Sequence, residues 1–396
     1  MYKIKYIKFL AAGLAVMLTL SVPGCQAQNE PAKDQPSSGS QTTDQPSSGS
    51  QTTELSIYSG QTTDRIRTGE HEEITWDLIQ IVEHDPVLKA LLEKSIAKAH
   101  EMNPDPNTNP VSDLESYYAF VDRCYHALPW EIEPAEYDSL YERIDQGMGC
   151  LYFVCDQPLE ELEDKGYFHN SLMYHEPFRS WMIRFLSGSG TFLNTEESWS
   201  EEYYQIALGN PDFHLDDDTF EDPSNWKTFN EFFARKLRDP SVRPIDAEGD
   251  DSVVVSPADA VPQGIWEIDE NSKVIAQDDA PGGVITWNAE EQRYRDYYSE
   301  EFGWQSIETR GVVIVETNGG GLVAIVPVGM CQVSSVNFED TVTVGAEVKK
   351  GDPLGYFLFG GSDIVMVFSE DLQFELTAEP QEHILMGNAY GKIAAD

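Results

Sequence analysis

The chain has 396 residues, a length that suits about two or three domains, and its 40% hydrophobic content is enough to build real cores. Its formal net charge of −43 repels nucleic acid and anionic lipid, which excludes DNA or RNA binding. The cysteines do not read as a zinc set, because their spacing fits no zinc pattern and no histidine cluster accompanies them.

In chain order, the first element is a leader. Lys3, Lys5 and Lys8 precede an apolar run from Phe9 to Val22, followed by Pro23, Gly24 and Cys25. The run is too short for a spanning helix and reads as a secretion signal over residues 1–25. The small residue before Cys25 resembles the lipobox of bacterial lipoproteins, with Pro23 as a departure. That resemblance implies a lipid anchor at Cys25 and an extracytoplasmic, membrane-anchored location on a bacterial cell surface. An ordinary signal with a cysteine nearby is the alternative. Outside the cytoplasm, Cys150 and Cys155 are candidates for a disulfide or for two buried thiols.

Residues 26–70 carry "DQPSSGSQTT" twice in tandem. Such polar units cannot bury enough surface to offset ordering entropy, so the segment reads as a flexible tether. From residue 71 to 222 the pattern is helical. "WDLIQIVEHDPVLKALLEKSIAKAH" spaces its apolar residues for a helix, with a break at Pro86. The dense aromatics of "LESYYAFVDRCYHALPW" and "FRSWMIRFLSGSGTFL" read as core. "FHLDDDTFED" lacks the glycine and closing glutamate of a calcium loop and reads as a solvated turn.

A second region runs from 223 to 396. Thr228 and Glu231 form a capping box that opens a helix with Phe229, Phe232, Phe233 and Leu237 on one face, closed by Pro240. Short β-branched runs follow, separated by Gly, Asn or Asp, with turns at Gly345 and Gly351-Asp352 and a hairpin turn in "TNGGGL". The expected fold class is α+β: a helical N-terminal domain followed by a β-rich, mainly antiparallel, sandwich-like domain.

"TFNEFFARKL", "RPID", "VVSPADA", "GLVAIVPVGMCQVSSV" and "VKKGDPLGYFLFGGSDIVMVF", in that order, resemble the phosphatidylserine decarboxylase family of self-cleaving pyruvoyl enzymes. "LPWEIEP" and "SWMIRFLSGSGTFLNT" resemble the helical domain of a related branch, part of which acts on aromatic amino acids. The resemblance implies that the Ser362 hydroxyl attacks the Gly361 carbonyl, an ester forms, and elimination and hydrolysis leave a pyruvoyl group derived from Ser362. That group takes the place of an external cofactor and serves as an electron sink for decarboxylation of an amine-bearing carboxylate, phosphatidylserine or a free amino acid. Asp259 in "SPADA" matches the family aspartate that orients the proton acceptor; on its residues alone it reads as a turn position after Pro257.

One departure stands out. The family carries a Tyr-His-Arg segment and a further His between that aspartate and the later strands, whereas residues 260–361 here contain no histidine. His169 and His175 of the helical region are the remote substitutes, and a packed core position is the ordinary reading of each. The gap leaves a second functional reading: a non-cleaving relic that serves as a surface binding or structural lipoprotein. A third reading, a lipoyl- or biotinyl-type carrier around Lys349 and Lys350, lacks the methionine that usually precedes the attachment lysine.

Overall fold

The computed structural model describes residues 2–10, 71–133, 137, 139–163, 170–270, 285–295, 309–329, 335–359 and 362–395. Cys25, His169, Cys331 and Gly361 lie outside the described residues, as does the whole of one unit of the chain, Leu18–Glu70. The other unit, Met1–Met17 with His71–Asp396, holds every element below.

The helices among the described residues are α1 (Glu73–His84), α2 (Pro86–Met102), α3 (Leu114–Tyr125), α4 (Leu140–Phe153), α5 (Phe178–Phe192), α6 (Glu201–Leu208) and α7 (Phe229–Phe233). The break expected at Pro86 is there. Asp85 ends α1 and caps α2, its carboxylate accepting from the Val87 and Leu88 N–H groups, while Pro86 takes a first-turn position that needs no donor. Leu88, Leu91, Leu92, Ile96 and Ala99 then face inward at helical spacing. The indole N–H of Trp181 on α5 donates to the Ile74 carbonyl of α1 at 2.9 Å, so the aromatic payload and a helix-to-helix bond come from one side chain.

The helix expected between Thr228 and Pro240 is not realised at that length. The capping box forms as predicted, but α7 stops at Phe233. Arg235 turns under the chain instead, with its guanidinium over the rings of Phe213, Phe220 and Phe232, and its Nη atoms donate to the Phe213 and Phe232 carbonyls. Leu237 leaves the helical face and bridges Phe220 as extended chain.

The strands are β1 (Tyr2–Leu10), β2 (Val253–Val255), β3 (Thr286–Asn288), β4 (Arg293–Arg295), β5 (Thr309–Glu316), β6 (Leu322–Gly329), β7 (Val336–Phe338), β8 (Glu347–Val348), β9 (Gly355–Phe357), β10 (Ser362–Phe368), β11 (Leu372–Leu376) and β12 (Ala389–Ala395). Every described pairing is antiparallel. The main sheet runs β10-β6-β5-β1-β8, a second runs β11-β12-β2, and β3-β4 and β7-β9 are separate ribbons. "TNGGGL" makes the β5-β6 hairpin as expected, the Thr317 N–H donating to the Gly321 carbonyl. Gly345 and Gly351 sit at φ 92° and 88°, where a side chain would be strained.

Two features depart from the sequence reading. The start of the leader, Tyr2–Leu10, is a full sheet strand, paired with β5 from Lys3 to Leu10 and with β8 at Tyr2 and Lys3. Ile4 is buried there beside Val313 and Val342. The second concerns the cysteines: Cys124, Cys150 and Cys155 are all free and buried, so the 150–155 pair is two thiols. The large core, built on the helices, also takes in Trp287 and Tyr294 of the β3-β4 ribbon and Phe359 just ahead of β10.

Candidate active site

Ser362 is the first residue of β10, its Cα opposite Gly329 at the end of β6. From there the ladder runs without a break to Phe368 opposite Val323. The β-branched residues Ile364, Val365 and Val367 suit this strand, which fixes the chain on the carboxyl side of Ser362. Opposite Ser362, a glycine contributes no side chain, so the cross-strand neighbour crowds nothing at this position.

The amino side of Ser362 is held differently. The Leu358 N–H donates to Ser335 Oγ at 3.2 Å, and the Phe359 N–H donates to Asn230 Oδ1 at 3.3 Å. Both acceptors are side chains rather than ladder partners. Ser335 Oγ also receives the Asn337 amide at 2.9 Å. The Phe359 ring is buried against Phe229 and Phe233 of α7, with centroids 5.5 and 5.4 Å away. α7 therefore delivers two rings and one amide to a single residue three positions ahead of Ser362. The capping box of Thr228 and Glu231 sets the start of α7 and so the direction of all three.

Asp259 follows β2 on a loop tied down by Ser256, whose Oγ donates to the Ala258 carbonyl at 2.7 Å. Arg243 grips its carboxylate with both ends of the guanidinium, Nε to Oδ1 at 2.9 Å and Nη2 to Oδ2 at 2.6 Å. The Met386 N–H adds a third bond to Oδ1 at 2.8 Å. Burial alone would raise the Asp259 pKa. The hydrogen bonds from Arg243 and Met386 and the nearby charge of Arg243 and His383 outweigh it, and the carboxyl lies below its ordinary value. A carboxylate so engaged is a weak proton acceptor. The sequence reading gives Asp259 an imidazole to orient; its described partner is a guanidinium.

Arg243 belongs to "RPID", which the sequence reading used only as a family stretch. A cation sixteen positions from Asp259 carries no local signal, so only the folded chain pairs them. His383 is likewise brought near Asp259 by the antiparallel bridge of Ala260 to Ile384. His175, the described member of the two remote histidines, stands at the start of α5, where its carbonyl accepts from the Arg179 N–H. Lys349 and Lys350 flank a tight turn; the Lys350 ammonium donates to the Ala247 and Asp250 carbonyls and is not presented as a carrier arm. No group of three or more His, Cys, Asp or Glu able to hold a metal ion occurs among the described residues.

A family-wide sequence profile described as phosphatidylserine decarboxylase matches residues 229–280 and 273–392. Among curated proteins, "Phosphatidylserine decarboxylase proenzyme 2" of Oryza sativa subsp. japonica is 28% identical over 198 residues, 39% of this chain and 31% of that protein. The protein of the same name from Komagataella phaffii is 30% identical over 224 residues, 45% of this chain and 21% of its own length. "Phosphatidylserine decarboxylase proenzyme" of Geobacillus kaustophilus is 27% identical over 198 residues, 39% of this chain and 72% of the relative. This chain thus spans less than a third of the first two relatives. The profile covers α7, β2, Asp259, strands β5, β6, β8 and β10 of the main sheet, and Ser362, the same residues that build the site above. Over residues 229–392 this chain matches the phosphatidylserine decarboxylase family.

Proposed function

We propose that this chain is a self-processing, pyruvoyl-dependent decarboxylase that splits between Gly361 and Ser362. The observation that carries the reading is the position of Ser362 at the first rung of a ladder on one side, with Leu358 and Phe359 held by side chains on the other. A peptide bond fixed from both ends is what an intramolecular attack needs. In the step itself the serine Oγ–H adds to the Gly361 carbonyl carbon, the C–N bond breaks, and the proton goes to the freed amine. Loss of the Ser362 α-proton then expels the Gly361 carboxylate from Cβ, and water replaces nitrogen as ammonia. No oxidant or reductant is consumed. The pyruvoyl group left behind supplies an electron sink for carbon dioxide loss from an amine-bearing carboxylate. The chain's acidic surface disfavours an anionic lipid face, so a free amino acid competes with phosphatidylserine as the substrate.

The regions 71–222 and 223–396 are proposed as the helical and decarboxylase-like domains. Residues 1–25 are proposed as a secretion signal that leaves a lipid anchor on Cys25. One measurement reads both ends of the molecule: the intact mass of full-length protein expressed with its leader and extracted from membranes. The expected result is two chains, the smaller running from 362 to 396 with a pyruvoyl end, the larger beginning at a lipid-modified Cys25. Ser362→Ala should give one uncleaved chain. A wild-type mass corresponding to the unbroken 361–362 bond overturns self-processing, and an unmodified N-terminus overturns the anchor. Carbon dioxide release from serine-headgroup vesicles against free amino acids then separates the substrates.

A second reading has an observation of its own. With Asp259 locked to Arg243 and no histidine in 260–361, the usual proton acceptor for Ser362 is not evident in the sequence. A chain that stays whole would serve instead as a surface binding or structural lipoprotein, and the same mass measurement favours it if a single species is found.

A further inference from the structure

The stretch Leu358-Phe359 precedes the proposed scissile bond, yet its two amides leave the sheet and bind side chains. Their acceptors come from distant parts of the chain: Asn230 lies on α7, and Ser335 stands just before β7. Asn230 is 2% exposed, and both ends of its side-chain amide are hydrogen-bonded. A backbone N–H can only donate, so the Asn230 atom facing Phe359 is its oxygen, and the amide nitrogen points the other way. That nitrogen donates to Asn194 Oδ1 at 3.1 Å, just past α5, while the Asn230 backbone N–H donates to the Leu193 carbonyl at 3.0 Å. The Asn194 amide in turn donates to the Gly190 carbonyl of α5 at 3.1 Å. A relay of amides therefore runs from α5 through α7 to the residue two positions before Gly361.

Resting on the self-cleavage reading, we propose that Asn230 and Ser335 are positioning residues for that reaction, and that the helical region sets its rate through the Asn194–Asn230–Phe359 relay. Their bonds to this stretch are at Leu358 and Phe359, ahead of the reacting bond. They fix where the chain enters the reacting bond, while β10 fixes where it leaves. The physical cost of losing such an anchor is large, because a displacement on the order of 1 Å in a near-attack arrangement costs about a hundredfold in rate. A burial role alone would make Asn230 interchangeable with an apolar residue of similar size; a positioning role would not.

The test uses freshly purified full-length chains and follows scission by mass over time, with and without neutral hydroxylamine, which cleaves the ester and so reports the acyl shift itself. Asn230→Leu keeps the volume and removes the acceptor; Ser335→Ala removes the other. Asn230→Asp keeps an oxygen toward Phe359 but loses the donor to Asn194, and so tests the helical half of the relay. Leu92→Ala, in the helical core far along the chain, controls for lost stability. Asn230→Leu and Ser335→Ala should slow both readouts by about tenfold or more. Leu92→Ala should stay within about threefold of wild type, while Asn230→Asp should slow both readouts beyond that margin; a wild-type rate in Asn230→Asp overturns the helical part of the relay. If Asn230→Leu fails to fold, Ser335→Ala against Leu92→Ala decides alone. Wild-type rates in the two acceptor variants, or equal slowing in Leu92→Ala, overturn the positioning role and leave self-cleavage intact. A wild-type chain that does not split even with hydroxylamine overturns the self-cleavage reading, and the relay with it.

Discussion

Glu133 is 1% exposed, and its carboxylate is only half satisfied. Oε1 accepts from the Tyr137 hydroxyl at 2.9 Å, whereas Oε2 has no hydrogen-bond partner among the described residues. Burial raises its pKa to about 7, against the weaker pull of the Tyr137 bond and the Arg143 charge. In the unfolded chain the same group titrates near 4.5. Between those values the folded state holds a proton that the unfolded state has released, so stability falls as pH rises from about 4.5 to about 7 and is flat above. Glu133→Gln removes the charge and should flatten that slope, raising stability at pH 8 by about 1–3 kcal/mol, the usual cost of an unsatisfied buried acceptor. Thermal unfolding of both proteins from pH 4 to 8 checks it; parallel curves would show that Glu133 does not titrate there. Asp259 has the opposite sign. Its lowered pKa makes a contribution present above the ordinary carboxylate range and lost as pH falls through the native value.

Between elements, α4 fits tightly against the β3-β4 ribbon. Gly149 on α4 lies so near the ribbon that a Cβ there would stand 2.6 Å from the Tyr294 Cβ. The missing side chain lets Tyr294 enter the helical core. There its N–H donates to Gln146 Oε1, and its hydroxyl donates to the Thr108 carbonyl. The ribbon's other end is tied by buried Asp156, which accepts from the Ile285 N–H and the Ser171 hydroxyl, each at 3.0 Å. Gly149→Ala gains helix propensity but forces the two elements apart. It should destabilise by about 1–3 kcal/mol, the range for overpacking a tight contact. Denaturant unfolding measures this, and a neutral or stabilising result would mean that α4 and the ribbon separate at no cost.

Over the molecule as a whole, the segment proposed as a secretion leader also supplies a strand of the main sheet. In the full chain, Tyr2–Leu10 fills the position between β5 and β8, Ile4 completes a small core, and Lys5 pairs with Glu316 at 2.8 Å. Processing at Cys25 would remove this strand and leave β5 with an open edge. Unpaired edges invite pairing with another chain. A chain beginning at residue 26 should therefore self-associate more than the full chain at equal concentration, by sedimentation velocity. Equal behaviour of the two would mean that β1 contributes no protection. The charge of −43 opposes close approach, so the difference should widen as salt screens that repulsion.

The helical periods, the break at Pro86, the capping box at Thr228, the glycine turns and the order of the family stretches were legible in the sequence, because each rests on neighbours a few positions apart. Distance along the chain hid the rest. Arg243 meets Asp259, Asn230 meets Phe359 and Tyr294 meets Gly149 only after the sheets and helices have packed. The length of α7 escapes the local pattern for the same reason, since aromatic rings from elsewhere draw Arg235 out of the helix. Sequence alone determined which residues resemble a self-cleaving serine and its flanks. The tertiary structure alone decided what holds the chain ahead of that serine and what engages its aspartate, because hydrogen-bond partners are chosen by proximity in space, which local pattern does not encode.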